Sequence, residues 1–272
     1  MTRAHLLATL VTLAAIAALA GGPGLAQAKV VGKNVSYKQG KVALEGYLAY
    51  DDAVTGKRPA VLVVHDWMGI SAETRRRVDM LAALGYVALA ADVYGKGVRP
   101  TTPEAAGKQA GKWKGDRPGL RARVRAALDF LFKRPEADPA RSAAMGYCFG
   151  GTAALELARS GAPVTGVISF HGGLSTPAPG LTAFKGKLLV LHGADDPHVP
   201  AAEVAAFEQE VRDAGLDWQL VAYGGAVHAF TNPGAGTDKS KGAAYDERAD
   251  RRSWQAMQQF FAELFSAPAP GR

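Results

Sequence analysis

The sequence predicts an α/β fold of three layers, with a mostly parallel central sheet and helices on both faces. Short, wholly apolar runs such as AVLVV (residues 60–64) and LLVL (188–191) read as strands buried on both sides. Between them lie amphipathic stretches bounded by capping residues and glycines, which read as helices. Their regular alternation is the order that builds a parallel sheet with crossover helices.

The elements follow in order. Residues 42–50 (VALEGYLAY) alternate loosely and suit an early antiparallel strand, and 60–64 form the first buried parallel strand. Residues 71–84 read as a helix with Ser71 as N-cap and Glu73 in its first turn; Gly85 closes it. A strand over 86–91 (YVALAA) follows. The segment 95–119, rich in Lys, Gly and Thr, reads as a partly helical excursion that covers the sheet's working edge. An amphipathic helix is expected over 117–133, with Pro118 near its start. Strands over 143–147, 164–170, 188–191 and 218–223 and helices over 152–159, 201–214 and 243–265 complete the series. In such sheets ligands bind beyond the carboxyl ends of the strands, so chemistry is expected in the loops after Val64, Ala91, Tyr147, Phe170, Leu191 and Tyr223.

Residues 1–28 carry a different message. Arg3 precedes an uncharged apolar run (6–20), and Ala26-Gln27-Ala28 supplies the small residues of a cleavage site, the order of a secretory signal peptide cut before Lys29. The run is shorter than the roughly 20 apolar residues that cross a bilayer. An exported protein, periplasmic or secreted, with no stable membrane insertion is therefore expected. Residues 29–266 read as one domain, and the Pro/Ala tail 267–272 as disordered. A composition of 48% hydrophobic and 21% charged residues is ordinary for a globular chain large enough to bury a core unaided. The net charge of +7 is spread over amphipathic segments such as 75–77 and 121–125, read as solvated helix faces. No basic stripe with interleaved aromatics suggests nucleic acid. A monomer is the expected state.

One cysteine, Cys148, stands in the whole chain, so it forms no internal disulfide. It is either buried and inert or kept for chemistry. Its surroundings, Gly146-Tyr147-Cys148-Phe149-Gly150-Gly151, follow a strand and precede a helix, the nucleophile-elbow pattern with cysteine at its centre. A strand-to-helix turn that sharp leaves no room for side chains two residues either side of the nucleophile. The following helix aims its positive end at the thiol, which favours thiolate.

An elbow calls for an acid and then a histidine on later strand ends. Residues 192–200 (HGADDPHVP) offer Asp196, with Asp195 as the competing acid, and 224–230 (GGAVHAF) offer His228 as base. Backbone N–H groups of Phe149 and of Trp67, in the loop after the first buried strand, are the expected oxyanion donors. His65, Tyr147 and His171 are expected near the pocket, His65 and His171 as lining or loop-anchoring residues. His192 and His198 also lie in strand-end loops, but no zinc-motif spacing appears and no metal or other cofactor is expected.

Taken together, GYCFGG, HDWMG (65–69), ADVYGKGVRP (91–100), GADDPHVP (193–200) and GAVHAF resemble the dienelactone hydrolase family of the α/β-hydrolase superfamily, in order over most of 34–265. The resemblance implies a Cys-His-Asp triad on Cys148, His228 and Asp196. It also implies hydrolysis of small esters or lactones through an acyl-thioester. Where the family has a glutamate near the resting thiol, Asp66 stands, one methylene shorter. Where it holds a carboxylate with two arginines, Lys96 and Asn232 stand, so the bidentate clamp is lost. The alternatives are a non-catalytic binding protein on the same fold and a thiol redox protein using Cys148.

Overall fold

The computed structural model describes residues 29–178 and 180–266; the expected signal peptide (1–28) and tail (267–272) lie outside the described residues. Eight strands form one sheet: β1 (Val30–Gln39), β2 (Val42–Asp51), β3 (Arg58–Val64), β4 (Val87–Ala91), β5 (Ala137–Tyr147), β6 (Gly166–Phe170), β7 (Lys187–Gly193) and β8 (Trp218–Tyr223). Their order is β1-β2-β4-β3-β5-β6-β7-β8. β1 pairs antiparallel with β2 and β2 with β4, while all pairs from β4 to β8 are parallel. The expected three-layer α/β fold is what forms.

Six helices complete it: α1 (Ala72–Ala83), α2 (Pro103–Gly115), α3 (Arg117–Phe132), α4 (Phe149–Arg159), α5 (Ala201–Asp213) and α6 (Glu247–Phe265). Period-two alternation divides the core. Ala60, Leu62 and Val64 point to the face covered by α3, α4 and α5, whose Leu120, Leu157 and Phe207 are buried there. Val61 and Val63 point to the other face, against Val78 and Leu81 of α1 and Met257 and Phe261 of α6.

Several boundaries differ from the sequence reading. β1 was not anticipated, because it is an edge strand whose residues are mostly exposed or half-buried and so lack an apolar signature. β5 starts earlier, at Ala137, since Arg58 and Pro59 pair with Ala137 and Asp138 before the register shifts. α6 starts at Glu247 rather than residue 243: Asp246 caps it, and Ala243 instead bridges to His228. Arg77 corrects the reading of 75–77 as a solvated face. It is 3% exposed, with Nε donating to Glu73 (2.8 Å) and Nη2 to Asp250 (2.8 Å) and the Thr231 carbonyl (2.7 Å).

Candidate active site

The turn from β5 into α4 forces Cys148 to φ 55° and ψ −117°, a conformation costly for any side-chain-bearing residue. The flanking glycines make it possible. A Cβ on Gly146 would strike the Gly150 carbonyl, and one on Gly150 would strike the carbonyl of Val64 in β3. The Cys148 N–H is shared between the Phe170 carbonyl (3.0 Å) and Nδ1 of His171 (3.1 Å). The thiol itself stands at the N-terminal end of α4, where the helix dipole favours negative charge.

Two later strand ends meet it. His228, in the loop after β8, places Nε2 3.0 Å from Cys148 Sγ and Nδ1 2.8 Å from Asp196 Oδ2. Asp196, after β7, is buried, and its other oxygen accepts the His198 N–H at 2.8 Å. Asp195 is exposed, so the geometry selects Asp196 from the two. The His228 backbone is pinned on both sides: its N–H donates to Gly242 (3.2 Å) and its carbonyl accepts from Ala244 (3.0 Å). Ala229 then turns the chain away at φ 57°. Burial alone would lower the His228 pKa, but its bonds to Asp196 and then to Cys148 outweigh that and raise it to about 10.

A cavity of about 600 Å³ opens over these groups, lined by Trp67, Tyr147, Cys148, His171 and His228 among others. Among the described residues the N–H groups of Trp67 and Phe149 have no acceptor within the protein. The Trp67 carbonyl, by contrast, is held by the Tyr94 hydroxyl at 2.9 Å. Asp66 also borders the cavity. Its carboxylate accepts the Met68 N–H (2.8 Å) and makes no hydrogen bond to Cys148; burial raises its pKa. Tyr147 stacks on Phe170 (4.5 Å between centroids) under the Arg77 guanidinium.

Two expected pocket residues lie elsewhere. Lys96 is more than half exposed and faces Glu45 at 3.9 Å, because its loop is tied to β2 by its N–H on the Ala43 carbonyl. It does not line the cavity. His65 is buried behind the wall, its Nδ1 donating to the Asp66 carbonyl (2.6 Å) and its Nε2 accepting from Val93 (3.3 Å). It anchors two loops, and burial lowers its pKa to about 4. Asn232 does line the cavity, with its side-chain oxygen committed to the Gly234 N–H (2.9 Å). The sequence reading missed Arg77, Lys114 and Thr231 as cavity residues. The expected helical part of 95–119 is α2, and of this segment Lys114, which is exposed, borders the cavity.

The comparisons agree with this architecture. A sequence profile of the Dienelactone hydrolase family matches residues 44–265. The solved structure of "m3DLH" is 41% identical, with a TM-score of 0.84 over 87% of this chain and 99% of that one. The dienelactone hydrolase-like promiscuous phosphotriesterase P91, from metagenomic libraries, is 40% identical, with a TM-score of 0.83 over the same shares. A Synechocystis sp. protein named "Putative carboxymethylenebutenolidase" is 27% identical over 80% of this chain and 91% of its own. With the elbow, the strand order and the profile in accord, the chain belongs to the dienelactone hydrolase family and is a hydrolase of esters or lactones with the α/β-hydrolase fold.

Proposed function

We propose that the enzyme cleaves small carboxylic esters or lactones with Cys148 as nucleophile, His228 as acid and base, and Asp196 as the group that orients and charges His228. The observation that carries this is the unbroken chain Asp196 Oδ2–His228 Nδ1 (2.8 Å) and His228 Nε2–Cys148 Sγ (3.0 Å). The attack begins with the proton on His228 Nε2 rather than on Sγ, as the raised His228 pKa favours. Sγ attacks the acyl carbon, and the carbonyl electrons move onto an oxyanion held by the Phe149 and Trp67 N–H groups. Collapse breaks the bond to the leaving alkoxide, which takes the proton from His228 Nε2 and leaves a thioester. Neutral His228 then draws a proton from water as the oxygen adds to the thioester carbon. Expulsion of the thiolate releases the acid and restores the ion pair.

The direct test is hydrolysis of p-nitrophenyl acetate by wild type, Cys148→Ala and His228→Ala, with mass spectrometry for an acyl adduct on Cys148. Loss of turnover in both variants is expected. Activity surviving in Cys148→Ala would overturn the nucleophile, and peroxide turnover without esterase activity would favour the redox alternative. A second reading, phosphotriester cleavage, is favoured by the 40% identity to the phosphotriesterase P91. Release of p-nitrophenol from paraoxon, dependent on Cys148, is its test. For the leader, the expected outcome is a periplasmic or secreted protein whose N-terminal sequence begins at Lys29.

A further inference from the structure

His171 takes no part in the steps above, yet it touches both of the residues that do. It leaves the end of β6 at φ 39°, a left-handed conformation uncommon outside glycine, and is 3% exposed. That turn folds the ring back across the elbow. Its Nδ1 accepts the Cys148 N–H at 3.1 Å, which requires the proton to sit on Nε2. Nε2 in turn meets the Thr231 hydroxyl at 2.8 Å, three residues after His228. Thr231 is itself fixed, because Arg77 of α1 donates to its carbonyl at 2.7 Å. The ring also packs edge-on against His228 (5.3 Å between centroids) and Phe230 (5.0 Å).

From this we infer that His171 is a positioning residue: its imidazole ties the backbone of the nucleophile elbow to the histidine loop through Thr231, and so holds Cys148 and His228 in register. Both ring nitrogens are occupied, so the ring has no site from which to move a proton to substrate. By accepting the Cys148 N–H beside the Phe170 carbonyl it also helps to fix the peptide before the nucleophile. The titratable or charged groups facing it are Cys148 and Tyr147 from the elbow, His228 from its loop and Arg77 from α1. A proton on Nδ1 would abolish the bond to Cys148 and set a second cation beside the His228 imidazolium. Burial, and then the nearby His228, hold the His171 pKa well below that of a free imidazole, which keeps the acceptor available.

The inference rests on Cys148 being the nucleophile, and its test separates the two. In full-length protein, His171→Leu removes both bonds, Thr231→Val removes only the far anchor, and His171→Asn keeps an acceptor near Nδ1 and tolerates positive φ. Each is measured for kcat and KM on p-nitrophenyl acetate and for the pH profile of Cys148 alkylation by iodoacetamide, which needs no ester. The expected result for His171→Leu is a kcat about 10²-fold lower, with KM little changed, as for a small misplacement of reacting groups. Its alkylation profile is expected to move to higher pH. His171→Asn recovers most of the loss, and Thr231→Val falls between. Wild-type kcat and alkylation profile in His171→Leu, or lowered stability with both unchanged, overturn the inference. Should His171→Leu fail to fold, an unchanged kcat in Thr231→Val overturns it. Turnover that survives Cys148→Ala defeats the nucleophile reading instead, and is scored separately.

Discussion

At the scale of single residues, the His228 pKa, raised to about 10, has a direct consequence. On the proposed mechanism, the His228 imidazolium persists through neutral pH and is lost only as pH rises through about 10. A kcat/KM profile that stays high to that limit and then falls is expected; a fall beginning near pH 7 would contradict the ion pair. Asp196→Asn keeps the shape but loses the charge and the tautomer, so kcat should drop on the order of 10³- to 10⁴-fold, as in other triads. Asp195→Asn should leave steady-state turnover near wild type, because Asp195 is exposed and is not bonded to His228. The meeting of Cys148 and His228 was legible because glycines and strand ends flank them in a fixed order. The choice between two adjacent aspartates was not, since it depends on a turn whose hydrogen bonds join residues far apart. Lys96 was misplaced for a related reason: correspondence in a loop fixes sequence position, not the direction a side chain takes.

At the scale of elements, α1 forms where the sequence places it, with Ser71 as its cap, but one of its residues was misjudged. Three consecutive arginines on an amphipathic helix suggest a solvated face, yet the third turns inward because two carboxylates, Glu73 and Asp250, wait for it. Asp250 lies in α6, and no local pattern announces a pair that spans so much sequence. The pair clamps α1 to α6 and, through the Thr231 carbonyl, to the histidine loop. Arg77→Leu should therefore destabilise the fold by about 2–3 kcal/mol, because the half-buried Asp250 carboxylate and the Thr231 carbonyl lose their donor while Glu73 keeps Arg76. Denaturant unfolding measures this; a change below about 1 kcal/mol would mean the carboxylates are rehydrated without cost. The strands fared better. Buried parallel strands announce themselves as apolar runs, whereas β1, exposed along most of its length, carries no such mark.

Across the whole molecule, buried histidines set the response to acid. The folded state keeps His65 neutral down to about 4, whereas the unfolded ring takes a proton near 6.5. Stability present above pH 6.5 is therefore lost as pH falls from 6.5 toward about 4, by roughly 3 kcal/mol from this residue. His171, also held neutral by burial, acts in the same direction. His228 has the opposite sign: its contribution is full below 6.5 and disappears as pH rises through about 10. Equilibrium unfolding at a series of pH values should show a steep acid limb between pH 6.5 and 4, weakened in a variant whose His65 is replaced by Gln. Retention of the full acid limb in that variant would remove His65 as its cause. The fold class was legible at this scale from alternation alone, and the family from five short motifs. The histidine chemistry was not, because burial is a property of the assembled layers.

Among the described residues, the non-glycine residues with positive φ are Cys148, His171 and Ala229, and all three line the cavity. Left-handed backbone outside glycine is thus gathered, among the described residues, around the cavity. Such a molecule is not at its stability optimum, and the route to a sturdier one runs through its working parts. Ala229→Gly should relieve about 1 kcal/mol of backbone strain and raise the melting temperature. The same change slackens the chain that presents His228, so the sturdier protein should be the slower catalyst.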